Sequence, residues 1–158
     1  MFEMFKATIS KFKNSDENLK NEKIKNEEIK ALNSIVALLV EAASIDGNIG
    51  LDEKNQIKTI LTDQLNLETK KADEILEETI SNSSEQIEIW SKTNDIRKEL
   101  DYEERLNILE LMWEIVLVDD IIDVFEAQLM RRVSGLLYIS DIDSGNSKKR
   151  AIQKLKNN

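Results

Sequence analysis

The sequence contains neither cysteine nor histidine among its 158 residues. These two absences exclude thiolate nucleophiles, imidazole general bases, disulfides, and the zinc, iron–sulfur and haem sites that use Cys or His ligands. A small secreted domain stabilised by disulfides is excluded as well. Carboxylates, hydroxyls and amines remain, so the composition favours a binding protein over an enzyme.

Turn-forming residues are also scarce, since the chain has no proline and four glycines. All-β domains need more turn residues than this. Apolar residues recur at steps of three and four over positions 29–43 and 106–116, which is the spacing of one helix face. The sequence therefore predicts an all-α protein, a bundle of about seven to eight helices. Further helices are predicted at 52–65, 69–81, 85–100 and 124–138, and helix caps at Asp101 with Glu104 and at Ser140 with Asp143.

The first 27 residues form a separate unit in this interpretation, an amphipathic helix and a flexible linker before a helical domain of residues 28–158. A polar stretch of mixed charge at 13–26 is typical of a connection. The favoured interpretation is that the apolar stripe of the segment packs against the protein's own core. The alternative is that residues 1–13 dock on a membrane surface or a partner protein. The stripe consists of Phe2, Phe5, Ile9 and Phe12.

Negative charge dominates, with 31 acidic and 22 basic residues and a net charge of −9. This balance disfavours nucleic acid as a partner and favours a cation as a ligand. The acidic excess lies at 31–126, whereas residues 127–158 are basic and form a candidate contact for other proteins. The N-terminus is a poor signal peptide, and the longest charge-free apolar stretch, 31–40, is shorter than the roughly 20 residues that span a membrane. We therefore expect a cytoplasmic protein.

An internal repeat is the most informative feature of the sequence. Residues 41–53 align without gaps to residues 114–126 at an offset of 73, with four identical positions, three of them acidic. The similarity resumes at an offset of 72, where Leu65-Asn66-Leu67 matches Leu137-Tyr138-Ile139. The repeat predicts two pseudo-symmetric helical halves.

Each repeat is predicted to hold an Asp in the last turn of one helix and a Glu in the first turn of the next. A helix N-terminus favours Glu, but a helix C-terminus disfavours Asp unless a cation is near. Carboxylates and exposed carbonyls are hard oxygen ligands that suit Ca²⁺, Mg²⁺ or Mn²⁺. The sequence therefore predicts divalent-cation binding at these turns. The predicted ligands are Asp46, Glu53, Asp119 and Glu126, with Glu41 and Glu114 as secondary candidates.

Two alternatives stay open at this point. In the first, Asp-Gly after a helix is ordinary turn chemistry and the Glu only stabilises a helix start, which leaves a metal-free interaction domain. In the second, Glu41 and Glu114 are rotated roughly 140° from the Asp of their own repeat and face the other repeat across the bundle. Neither repeat is an EF-hand, because the first ligand positions of that loop hold Ala42 and Ser44 in one repeat and Ile115 and Leu117 in the other.

Residues 37–53, 101–106, 111–126 and 131–141 together resemble the bacterial tellurite-resistance TerB-like family, over roughly positions 28–143. The resemblance implies an all-helical fold of two pseudo-symmetric halves, a cytoplasmic stress-response protein without a known catalytic reaction, and a metal site at the acidic turns. The family's turn usually reads Ala-Asp-Gly, whereas this chain has Ile45-Asp46-Gly47 and Val118-Asp119-Asp120. An extra carboxylate at Asp120 makes the second turn more acidic and less flexible than the first.

Overall fold

The computed structural model describes residues 22–45, 47–82, 88–119 and 121–157, apart from the side chains of residues 22–25 and 119. This part of the chain contains seven α-helices and no strand, which confirms the predicted all-α class. A π-helical turn, Ile60–Gln64, continues the second helix, and a 3₁₀ turn, Leu117–Asp119, continues the fifth. The helices are α1 (Glu22–Ala43), α2 (Leu51–Thr59), α3 (Thr69–Ser81), α4 (Ile89–Glu99), α5 (Tyr102–Val116), α6 (Val124–Leu136) and α7 (Asp141–Lys156).

The centre of the bundle is formed by α1 and α5, the two most apolar helices. Every residue of α5 from Leu106 to Val116 is buried, as expected for a helix that is covered on all sides. Helix α1 packs against α3, α4 and α5, and α5 packs against α7. One continuous hydrophobic core includes side chains from all seven helices.

The two halves have equivalent helix starts. Helices α2 and α6 begin 73 positions apart, and α3 and α7 begin 72 positions apart. The left-handed residues Asn66 (φ 61°) and Tyr138 (φ 57°) also lie 72 positions apart, although such a backbone is uncommon outside glycine. The structure therefore has the repeated architecture that the sequence predicts.

The offset changes from 73 to 72 because the first half contains one extra residue, and the π-helical turn accommodates it. Leu65 follows Leu51 by 14 positions, whereas Leu137 follows Val124 by 13. In the turn, the Leu65 N–H donates to the Ile60 carbonyl, five residues back, at 2.9 Å. A π turn holds one residue more than an α turn, so both Leu65 and Leu137 reach the core.

Helix boundaries differ from the predictions in a few places. Helix α1 begins at Glu22, inside the stretch interpreted as a flexible connection, because Glu and Lys favour a helix there. Helix α6 ends at Leu136 rather than 138, since Tyr138 is left-handed. Helix α4 begins at Ile89, and residues 83–87 lie outside the described residues. The predicted amphipathic helix at the N-terminus also lies outside them.

Both predicted caps are confirmed. The Glu104 N–H donates to Asp101 Oδ1 at 2.9 Å, and the Asp143 N–H donates to Ser140 Oγ at 3.2 Å. These bonds satisfy amides at the starts of α5 and α7 that have no partner within the helix. Across the described ranges, none of the helices has the length and apolar content needed to cross a membrane.

Candidate functional site

The two acidic turns follow α1 and α5. Helix α1 ends at Ala43, and the Gly47 N–H donates to the Ser44 carbonyl at 2.9 Å to close the turn. Gly47 has a φ of +101°, a conformation that strains residues with a side chain. Asp46 itself lies outside the described residues. Helices α1 and α5 thus both end before the Asp that was predicted to lie in their last turn.

In the second half, the 3₁₀ turn carries the chain from α5 to Asp119, whose backbone is described but whose side chain is not. Asp120, the counterpart of Gly47, also lies outside the described residues. The two Asp residues at the centre of the predicted metal site therefore remain predictions as ligands.

The two predicted Glu ligands cap the helices that follow these turns. Glu53 Oε2 accepts from the Gly50 N–H at 2.6 Å, and Glu126 Oε1 accepts from the Asp123 N–H at 3.4 Å. Asp123 Oδ1 in turn accepts from the Glu126 N–H at 2.8 Å. A side chain at Gly50 would overlap the Glu53 carboxylate, so glycine permits the shorter of the two bonds. Helix capping, one of the alternatives from the sequence, is thus one role of both Glu residues.

A cavity of about 260 Å³ lies between the two halves, where the turns meet. Glu53 lines it from the first half, and Asp123 and Glu126 line it from the second. The structure therefore brings the two predicted Glu residues to one cavity, together with a carboxylate, Asp123, that sequence reasoning missed. The position of Asp123 directly before α6, where an N-cap residue is expected, was the signal in the sequence that could have identified it. The remaining lining residues are Ala42, Ala43, Ile45, Ile115 and Ile121.

The described carboxylates supply suitable donor atoms for a hard divalent cation but not a complete ligand set. Within the described ranges, no three Asp or Glu side chains are grouped closely enough to hold a metal ion. The predicted set includes Asp46 and Asp119, whose side chains are outside those ranges. Carboxylate oxygens at the cavity fit the ligand preferences of Ca²⁺, Mg²⁺ and Mn²⁺.

Glu114 occupies a different environment from the cavity. Its side chain is buried on α5, where Gln64 Nε2 donates to Glu114 Oε2 at 3.4 Å and Lys154 Nζ lies 3.8 Å from Oε1. Burial raises the pKa of Glu114, while Lys154 and Gln64 act in the opposite direction. Because Gln64 belongs to the first half, Glu114 contacts the other repeat, as the alternative interpretation of this residue held.

A second buried carboxylate, Glu110, extends this network. Arg150 Nε lies 3.0 Å from Glu110 Oε2, and Lys154 Nζ lies 3.4 Å from Glu110 Oε1. Sequence reasoning missed these pairs, although two acids four residues apart on α5 and two bases four residues apart on α7 were a usable signal. Glu41, the counterpart of Glu114 in the first half, is half-buried, and its burial raises the pKa of its carboxyl group.

The fold and the cavity together define a helical-bundle protein made of a duplicated helix–turn–helix unit, with carboxylates at the junction of its halves. The profile of the family described as tellurite resistance protein TerB matches residues 32–149. Because this match covers most of the chain, the protein belongs to the TerB family, as the sequence motifs predicted. Comparisons with curated proteins and with solved structures gave no match.

Proposed function

We propose that this protein is a non-catalytic stress-response module that binds a divalent cation at the junction of its two halves. The observation that carries the proposal is that Glu53, Asp123 and Glu126 line one cavity. Asp46 and Asp119 lie in the two turns that lead to these residues and are proposed as further ligands. A cytoplasmic location is part of the proposal and rests on the family.

Electrostatics supports a cation at this place. One carboxylate from the first half and two from the second line the same cavity, and like charges that share a cavity repel one another. A bound Ca²⁺, Mg²⁺ or Mn²⁺ would offset this repulsion through ligands from both halves. The net charge of −9 favours cation association at longer range.

The non-catalytic part of the proposal rests on the side chains available. The chain offers no imidazole or thiol, and the cavity offers carboxylates without a basic or hydroxyl partner among its described lining residues. Carboxylates alone can act in acid–base chemistry, but glycosidases of that kind need a broad cleft, and this cavity is small. The family description names resistance to tellurite, which is a phenotype and specifies no reaction.

A metal-free interaction domain is the second candidate function. It is favoured by exposed apolar side chains beside the cavity, among them Ile121 and Phe125. The capping bonds of Glu53 and Glu126 also give both residues a structural role that needs no cation. The two candidate functions differ in whether an added cation stabilises the fold.

Thermal unfolding of the chelator-treated chain, with and without millimolar Ca²⁺, Mg²⁺ or Mn²⁺, tests the proposal. A cation at about 100 times its dissociation constant stabilises the folded state by about 2.7 kcal/mol, which corresponds to roughly 5–10 °C for a chain of this size. The double variant Asp46→Asn plus Asp119→Asn should lose this shift.

Two exposed acids outside the two acidic turns provide a matched control. The double variant Asp63→Asn plus Asp141→Asn removes the same charge. This control should keep the cation-induced shift. If no cation raises the melting temperature of the parent, or if both double variants respond like the parent, the cation site is wrong. The metal-free interaction domain then becomes the better account.

A further inference from the structure

The helix starts beside the cavity carry exposed apolar side chains. Leu51 and Ile121 are both 73% exposed, and Val124 and Phe125 are both 68% exposed. Leu51 and Val124 are equivalent positions of the two repeats, and Ile121 lines the cavity together with Glu53 of α2. These four residues form what we call the apolar patch. Large apolar side chains gathered at one exposed place mark a binding surface.

Acidic residues adjoin the apolar patch along the chain and form what we call its acidic rim. Asp52 and Glu53 follow Leu51 directly, and Asp123 and Glu126 flank Val124 and Phe125 in the chain. A complementary occupant therefore needs an apolar face and basic groups next to it. A second copy of the same patch does not meet this requirement, because a two-fold dimer would place two acidic rims against each other.

The chain itself contains a segment with the required chemistry. Residues 1–13 carry three lysines and one glutamate, so their side chains have an excess of positive charge. Three of the four phenylalanines of the chain lie in this segment, on the helical stripe predicted from the sequence. The lysines are Lys6, Lys11 and Lys13.

The segment is also long enough to reach the patch. Helix α1 runs from Glu22 to Ala43, which lines the cavity, and 22 helical residues span about 33 Å. Residues 13–21 cover up to about 30 Å when extended, and the predicted helix at 2–12 adds about 16 Å. The combined reach exceeds the length of α1, so the chain can return to the cavity end of the bundle.

We propose that residues 1–13 dock on the apolar patch of the same molecule, with their lysines against the acidic rim. Phe2 and Phe5, at the far end of the segment, contact the apolar patch. The contact is a property of the chain alone and forms in the absence of a divalent cation. Because its charged part is exposed, it weakens as salt is added.

The absence of cysteine allows a direct test on the full chain. Ala7→Cys gives a single attachment site for a nitroxide, on the opposite side of the predicted helix from the stripe. With ¹⁵N-labelled protein, the oxidised label should weaken the amide signals at the starts of α2 and α6 relative to the reduced label. Phe125→Ser should restore these signals. Ile142→Ser, a substitution at a similarly exposed residue in the first turn of α7, should leave them weakened.

Several results would overturn the docking proposal. Amide signals of Leu51 and Val124 that are unaffected by the label show that the segment does not reach the patch. Weakening that survives Phe125→Ser shows that the patch does not hold it. A further sample mixes ¹⁴N protein that carries the nitroxide with ¹⁵N protein that carries none. If the signals of the ¹⁵N protein weaken in this mixture, the segment docks on a second copy. Vesicles of phosphatidylcholine and phosphatidylserine that pellet the parent, while the patch signals stay unaffected, identify a membrane as the occupant.

Discussion

Glu114 is a buried acid whose charge is only partly compensated. Its carboxylate is almost completely covered. Its basic neighbour Lys154 also pairs with Glu110, whose Oε1 lies 3.4 Å from the Lys154 Nζ. Burial is the largest cause that raises the pKa of Glu114, and the Glu110 charge raises it further. Ionised Glu114 is thus costly in the folded protein, which is expected for a carboxylate that has left water.

This raised pKa predicts a pH-dependent stability difference for Glu114→Gln. The pKa of Glu114 in the folded state lies above its ordinary value of 4.5. Between these two pKa values, the folded state therefore binds more protons than the unfolded state. The contribution of Glu114 to stability therefore falls as pH rises. The variant stays neutral at every pH, so its free energy of unfolding relative to the parent should rise from pH 4.5 to 7. Each unit by which the pKa is raised corresponds to about 1.4 kcal/mol.

Urea unfolding of the parent and the variant at several pH values measures this difference. Glu103→Gln, at an exposed position of the same helix, controls for the loss of one negative charge. A difference between Glu114→Gln and the parent that is constant with pH, or that falls as pH rises, contradicts the prediction.

Sequence alone could place Glu53 and Glu126, and it offered the interpretation that Glu114 faces the other repeat, but it could not name the partners of Glu114. The two capping residues act within three positions of their own helix start, and local spacing reveals such contacts. Glu114 meets Gln64 from 50 positions away and Lys154 from the last helix. Only the packing of distant elements determines those contacts, and they were therefore not predictable from local patterns.

At the scale of the helices, the starts that capping residues mark were predicted well, whereas the starts of α1 and α4 and the interior of the second helix were not. Thr69–Ser81 and the starts of α5, α6 and α7 agree with the predictions. Side chains cap the last three starts, whereas α3 has no side-chain cap. The prediction of one helix over 52–65 missed the π turn at Ile60–Gln64, since apolar periodicity over five residues does not separate a π turn from an α turn. The change of repeat offset was the signal in the sequence for an extra residue.

Deletion of Asp63 should therefore be tolerated. The Leu65 N–H already donates to the Ile60 carbonyl, and removing one residue between them turns this five-residue bond into an α-helical one. The first half would then have the length of the second. We expect a loss of no more than about 3 kcal/mol in urea unfolding, within the ordinary range for a single change.

Deletion of Arg132 is the matched control, because this exposed residue lies in α6 between the buried Met130 and Val133, where the helix is regular. This deletion rotates the two buried residues by about 100° relative to each other and should cost more than about 4 kcal/mol. Amide exchange at Leu65 checks that its bond survives the Asp63 deletion. Equal losses in the two deletions would show that the π turn does not absorb the extra residue.

At the scale of the whole molecule, the two halves share one core. Helix α1 of the first half packs on α5 of the second, and Gln64 of the first half bonds to Glu114 of the second. The continuous hydrophobic core contains side chains from every helix of the described chain. The duplicated units are therefore parts of one domain, and we expect them to unfold together.

Two equivalent core positions test this cooperativity. Ile57 of α2 and Met130 of α6 lie 73 positions apart and are both buried. Either residue changed to Ala should lower the free energy of unfolding by about 2–5 kcal/mol. In a Trp90→Phe background, Trp113 of α5 is the remaining tryptophan and reports on the second half.

For Ile57→Ala, the Trp113 fluorescence and the helical circular dichroism should follow one urea transition, with the slope of the parent. A cooperative core predicts this result because a cavity in the first half lowers the stability of all helices that share the core. If circular dichroism is lost at lower urea than Trp113 fluorescence, the first half unfolds by itself. In that partly unfolded state, the cavity between the halves would lose the wall that holds Glu53, while the wall with Glu126 would stay folded. A cation that needs ligands from both halves binds only the fully folded protein, so adding it would restore the single transition.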